Sequence, residues 1–505
     1  MIELFENRPS QCSSVSLIVR RSPTPSRLLF PSKTRPLSPF LCAALLAFLW
    51  SVVEPKCEAS ETPFMVSANK QNVVFKSSPN DAFQFVSDTG WNMVQQLSRA
   101  EIREYLDIRA AQGFTMVQFI GTGHDWRAQK HYGWRPINGS DFSKPMVVDG
   151  PDNDWWDYIE WIINELEQRG MYAGFLPMWR QDFHSGRIVG EAECEAYGRF
   201  LGQRFREQND RIIWFMGGDL PTDAFPLAWH RAVARGIAKG VSDGAEDYDA
   251  IFCSYHVAGR GDTLAFPEEE PFMDFNTIQS GHWNTKPYEL QSEGVIAKCL
   301  RTQKKPCLDL EPMYEFIKPY ATPAVVRHII WWNVFEGAFG TSYGHGGVWH
   351  FGTYNRNGGE WVWDHPEDYR SPVAEQIWVV RHLLASRPGA NRMSDLDPLD
   401  PATRFNHHRR ICCLRDRDRT YLMVYTPNGE SFRLRTDRLR GEQCHGWWYC
   451  PRTAKITDLG LSPNTGAAAT FDPPGEPGEN YTDSDWVLVL DDVSWDYPPP
   501  GSIGK

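Results

Sequence analysis

The stretch RIIWFMGGDL, residues 211–220, runs through apolar side chains into two glycines and a carboxylate. A run of strand length rich in isoleucine, tryptophan and phenylalanine reads as a strand buried on both faces, as parallel sheets require. Its acid, Asp219, then stands where the strand surfaces. In a parallel α/β barrel that edge carries the active site, and a helix N-cap is the competing use for such an acid.

Seven further β-like runs flank this one, at residues 82–88, 114–120, 171–177, 250–256, 273–282, 306–312 and 338–345. Mostly helical patterns separate them. In SRAEIREYLDIRAAQG, residues 98–113, Ile102, Tyr105, Leu106 and Arg109 fall at helical spacing and Gly113 supplies a C-cap. Residues 154–170 repeat the pattern and end on Gly170. Eight strands alternating with helices predict a (β/α)8 TIM barrel, over residues 60–388. A doubly wound sheet would more often carry a phosphate loop, and neither GxGxxG nor a Walker pattern occurs. Beyond about Pro388 short alternating strands predict a small antiparallel β-sandwich over residues 389–492. There PNG, residues 427–429, reads as a hairpin turn, and residues 493–505 as a frayed tail.

Residues 41–53 form a 13-residue apolar run behind a basic segment, too short to span a bilayer comfortably. The order is that of a signal peptide cut after Ala59, and a buried N-terminal helix is the alternative. The expectation is a leader over 1–59, a secreted or periplasmic mature chain, and no membrane partner. Cleavage would remove seven basic and four acidic residues and move the formal charge from -12 to -15, so nucleic acid is not an expected partner. Eight of the 11 cysteines lie beyond the cut. Cys299 with Cys307, and Cys444 with Cys450, have the spacing to close short disulfide loops, with free buried thiols as the other reading. Cys412 and Cys413 are neighbours and should point to opposite faces of a strand.

Whether Asp219 is chemistry or a cap turns on a second carboxylate at another strand end. The seventh run, PCLDLEP, alternates so that Asp309 and Glu311 share a face, with Glu311 last before a proline. Strands four and seven oppose each other across a barrel. Two carboxyl groups at their tips, one protonated and one ionised, are what glycoside hydrolysis requires. Rings gather at the same strand ends: Trp91, His124, Trp126 and Trp179, then His256, His282, Trp283, Tyr343, His345 and Trp349. Sugars stack on such aromatics and hydrogen-bond to imidazoles. Asp88 and Gln279, at the ends of the first and sixth runs, are further candidate substrate ligands. A carbohydrate substrate follows, with no cofactor and no metal expected and the oligomeric state open.

Two other readings stand beside this one. Histidines at the ends of strands two, five, six and eight suit a metal-dependent amidohydrolase-type barrel, but the first strand ends SDTGW where that class has His-x-His. A non-catalytic carbohydrate-binding barrel is the second, although binding alone has no use for opposed carboxylates.

The ordered set FVSDTGW, LSRAEIREYLDIRAAQGFTMVQ, GFLPMW, WFMGGD, DFNTIQSGH, KPCLDLEPMYE and GAFGTSYGHGGVWHF resembles the apiosidase-like glycoside hydrolases of family 140. The likeness covers nearly all of residues 64–492 and includes a following β-sandwich of the kind labelled collagen-binding. It implies a retaining glycosidase with Asp219 as acid/base and Glu311 as nucleophile. The activity characterised in that family is release of apiose-linked side chains from the pectic polysaccharide rhamnogalacturonan II. Glu336, in WWNVFEGAFG, departs from the small or apolar residue expected there. The insertion at residues 121–145 is expected to form one wall of the cleft.

Overall fold

Eight parallel strands set the frame of the computed structural model: β1 (Phe85–Thr89), β2 (Met116–Ile120), β3 (Tyr172–Leu176), β4 (Ile212–Leu220), β5 (Cys253–Val257), β6 (Asn276–Ile278), β7 (Cys307–Asp309) and β8 (Gly340–Tyr343). The structure describes residues 60–502 except 125–126, 140, 185–189, 223–226, 283–294, 357–358, 404–406 and 480. The expected leader, and with it the signal-peptide reading, lies outside the described residues. So do Trp126 and Trp283.

Each strand coincides with one of the eight apolar runs, β1 and β5 extending one residue past theirs. The ladder runs β8-β1-β2-β3-β4-β5, with β6 and β7 paired to each other. Single backbone bonds bridge the two remaining seams, Asp274 N–H to Cys253 O at 2.9 Å and Phe339 N–H to Cys307 O at 3.3 Å. The helices α1 (Arg99–Ala111), α2 (Trp155–Gln168), α3 (Glu191–Arg204), α4 (Leu227–Val241), α5 (Val295–Thr302), α6 (Pro323–Phe335) and α7 (Ile377–Ala385) follow every strand but β5. Residues 258–275 replace that helix with turns.

Local chemistry explains the helix ends. Ser98 and Glu101 form a reciprocal capping box on α1, and Gly113 closes it at φ +91°. Asp154 caps α2 by accepting from the N–H groups of Trp156 and Asp157. Helices α3 and α4 cross at glycines: a Cβ on Gly198 would stand 2.2 Å from Val233 O, and one on Gly236 2.3 Å from Glu195 O.

An antiparallel meander, Phe64–Val66, Val73–Phe75 and Ser78–Ala82, plugs the N-terminal end of the barrel. Phe64 reaches Tyr172 of β3 at 4.9 Å and Phe252 beside β5 at 5.3 Å. The opposite end, at the C-terminal strand ends, carries Asp219 and Glu311.

The C-terminal strands are β9 (Arg392–Ser394), β10 (Cys412–Asp416), β11 (Tyr421–Thr426), β12 (Phe432–Arg435), β13 (Gln443–Tyr449), β14 (Ile456–Pro463), β15 (Ala468–Phe471) and β16 (Trp486–Asp492). Six form one antiparallel sheet, ordered β9-β10-β11-β16-β13-β14, and β12 pairs with β15 in a separate ribbon. Alternation sorts the faces: Tyr421, Met423 and Tyr425 join the barrel core, while Leu422 and Val424 face a second core with Phe432 and Leu434 of the ribbon. Cys412 and Cys413 divide between these two cores as expected. The PNG turn does not close a hairpin. Both edges of β11 are already paired, to β10 and β16, so the turn carries the chain out of the sheet into the ribbon. The tail is held rather than frayed at Tyr497, whose hydroxyl lies 2.8 Å from that of Thr420 while Arg387 covers its ring.

Neither expected disulfide forms; all eight described cysteines are buried free thiols. Glu336 is not near the cleft chemistry. It ends α6, buried, 3.1 Å from Arg410 of the C-terminal domain, and burial pushes its carboxyl up to about 7.

Candidate active site

The tip of β4 is built to turn a carboxylate into the cleft. Gly217, Gly218 and Asp219 take φ of +94°, +79° and +60°, and the ladder to β5 is irregular between Met216 and Leu220. Side chains at the two glycines are excluded: a Cβ would stand 2.3 Å from His256 O and 2.4 Å from Met178 O respectively. Helix α4 begins only at Leu227, so Asp219 is not its cap.

Asp219 Oδ2 accepts from Arg180 at 2.8 Å, and its backbone N–H donates to His256 Nδ1 at 3.1 Å. Burial, then the charge of Glu311, raise the Asp219 carboxyl above the ordinary aspartate range; His256 and Arg180 oppose them.

Strand β7 ends at Asp309, two residues before Glu311. Asp309 is fully buried and turned to Ser280 and to Asn333 of α6, so the shared face expected for Asp309 and Glu311 does not persist. The chain bends past the strand end and Gly281 N–H pins Glu311 O at 3.0 Å. Glu311 Oε1 meets His282 Nε2 at 2.8 Å; Oε2 lies 3.2 Å from His256 Nε2, at ion-pair distance but off line for a hydrogen bond. Burial works against ionisation of Glu311, yet the imidazoles of His256 and His282 outweigh it and hold the carboxyl below the usual glutamate range. Two carboxyl groups thus share a cleft with their protonation driven in opposite directions.

The expected ring cluster assembles in part. Trp91, Trp179 and His256 meet mutually, with centroids 5.1 to 5.6 Å apart, and His124 lies 6.2 Å from Trp179 and 5.7 Å from Trp349. Gln279 is buried at the end of β6. Among the described residues, Trp179 Nε1, Gln279 Oε1 and His282 Nδ1 are buried without a hydrogen-bond partner. Buried polar atoms are normally satisfied, and hydroxyl groups of a ligand would satisfy these.

Two expected substrate ligands are instead structural. Asp88 is sealed at the end of β1, 2.6 Å from both Arg109 and the Tyr105 hydroxyl, because the fully buried guanidinium of Arg109 needs a counter-charge. Tyr343 is equally buried, bonded to Glu315 and Ser371. His345 stands apart from the ring cluster, with Nδ1 accepting from Gly347 N–H and the ring against Phe316.

Tyr314 and Arg180 were not singled out from the sequence. Trp91 Nε1 donates to Tyr314 OH at 2.6 Å, and burial together with the charge of Glu311 keeps that phenol protonated. The only sequence signal was position, Tyr314 three residues beyond Glu311 and Arg180 directly after GFLPMW.

A curled parallel sheet whose open end carries this carboxyl pair defines a glycoside hydrolase barrel. Residues 69–391 match the model of the "Apiosidase-like, catalytic domain", and the chain belongs to that family; it is a glycosidase acting on a carbohydrate substrate. Residues 402–491 match the "Putative collagen-binding domain of a collagenase". Among solved structures, a glycoside hydrolase family 5 protein from Bacteroides vulgatus superposes with a TM-score of 0.77 at 24% identity, covering 88% of this chain and 98% of that one. Another, described as a glycoside hydrolase, gives 0.74 at 23%, covering 86% and 97%. At these identities the likeness concerns the fold. No curated protein matches.

Proposed function

We propose that the protein is an exported retaining glycoside hydrolase acting on apiose-linked side chains of pectin, with Glu311 as nucleophile and Asp219 as acid/base. The observation that carries this reading is the opposed treatment of the two carboxyls. Glu311 is held ionised by two imidazoles, as a nucleophile must be, while burial and the Glu311 charge favour the proton on Asp219. In the first step Asp219 gives its proton to the leaving oxygen as Glu311 Oε bonds to the anomeric carbon. Glu311 thereby loses its charge, and the main electrostatic force keeping Asp219 protonated disappears. Asp219 then takes a proton from the water that releases the sugar. The family match supports the apiose assignment, and the signal-like order of residues 41–59 supports export.

The test uses a nitrophenyl apioside. Glu311→Ala should abolish turnover. Asp219→Ala should still form the glycosyl-enzyme, since nitrophenolate departs without a proton, and azide should accelerate its breakdown to a glycosyl azide of retained configuration. Full activity of Asp219→Ala on the natural polysaccharide would exclude it as the acid/base.

A further inference from the structure

Phe316 carries two costs that folding does not explain. Its backbone sits at φ +61°, a left-handed region that strains a bulky side chain. Its side chain is also 50% exposed, forgoing much of the burial that usually stabilises a phenylalanine. The other aromatic residues at positive φ recover their strain by packing: Phe351 is fully buried and Tyr481 lies against the main core. A glycine at position 316 would avoid both costs.

The surrounding backbone holds this conformation firmly. Phe316 N–H donates to Ala321 O at 2.9 Å, Glu315 N–H to Gly344 O at 2.9 Å, and Gly346 N–H to Glu315 O at 2.8 Å. The Glu315 carboxylate is buried under the Tyr343 hydroxyl at 2.7 Å, and Ile317 on the other side is buried as well. Only the ring between them points outward, on the loop that follows β7, five residues beyond Glu311. It makes a T-shaped contact with His345 at 5.6 Å.

We propose that Phe316 is a stacking platform at the rim of the cleft, packing against the C–H face of a sugar ring beyond the one attached at Glu311. An aromatic ring offers large contact area at little cost in side-chain entropy, and a rigid loop lowers that cost further. The platform reads no charge, so it favours extended saccharides over short ones. It rests on the hydrolase reading of the same cleft.

The test compares wild type with Phe316→Ala, Phe316→Gly and Phe316→Tyr on an oligosaccharide from rhamnogalacturonan II and on a nitrophenyl apioside. The ratio of kcat/KM on the oligosaccharide to that on the apioside should fall about tenfold in the Ala and Gly variants, mostly through KM, and stay near wild type for Tyr. The Gly variant should melt no lower than wild type, because its strain is relieved. An unchanged ratio, or a Gly variant that melts clearly lower, overturns the platform. If wild type cleaves neither substrate, the apiose reading of the cleft fails instead. Calorimetric titration of the oligosaccharide into Glu311→Gln, with and without Phe316→Ala, then still decides the platform: about tenfold weaker binding supports it and equal binding overturns it.

Discussion

The backbone N–H of Asp219 donates to Nδ1 of His256 at 3.1 Å, which leaves the ring proton on Nε2, 3.2 Å from Glu311. One imidazole therefore ties the left-handed tip of β4 to the carboxylate after β7. His256→Phe keeps the ring packing against Trp91 and Trp179 and removes both nitrogens. It should lower kcat by about 10²-fold or more. Glu311 must be ionised to act, and losing His256 removes a force that holds its carboxyl low. The acid limb of kcat/KM should therefore move to higher pH, read from a full pH–rate profile. An unmoved limb would separate His256 from the charge state of Glu311.

Arg180 acts on the other limb. Its guanidinium, 2.8 Å from Asp219 Oδ2, favours the ionised form and so opposes burial and the Glu311 charge. Arg180→Gln should let the Asp219 carboxyl rise further. Since the proposed first step needs Asp219 protonated, the alkaline limb of kcat/KM should move to higher pH, with Arg180→Lys intermediate.

Glu336 offers a stability test away from the cleft. Its carboxyl is raised to about 7 in the folded protein, above its unfolded value, so the stability it contributes is complete below about pH 4.5 and is lost as pH rises through 7. Glu336→Gln should match wild type near pH 4.5 and exceed it above pH 7.5 by on the order of 3 kcal/mol, measured by denaturant unfolding at both pH values. Equal stability at the higher pH would show that Arg410 already offsets the burial.

The barrel was legible because parallel strands buried on both faces read as apolar runs, and each of the eight runs overlaps one strand. Strand ends were less so. Asp88 and Asp219 give the same local signal, an acid closing an apolar run, and only the buried Arg109 across the gap to α1 makes the first a structural counter-ion. Alternation along PCLDLEP fails at Glu311 because β7 stops at Asp309. The PNG turn looked like a hairpin because the sequence does not reveal that both edges of β11 are paired elsewhere. Arg180 and Tyr314 gain their places through contacts between loops of different strands, which no local spacing encodes. The paired cysteines had the spacing for disulfides, yet spacing does not report geometry, and they remain thiols.

The central claim, that Glu311 becomes covalently bound to the sugar while Asp219 manages the proton, is tested most directly by trapping. The protein would be incubated with an activated fluorosugar analogue of its substrate, digested, and the labelled peptide sequenced by mass spectrometry. The account predicts one adduct, on the carboxylate of Glu311, forming in wild type and in Asp219→Ala but absent from Glu311→Gln. An adduct on any other residue, or turnover with no adduct and a product of inverted anomeric configuration, would contradict it.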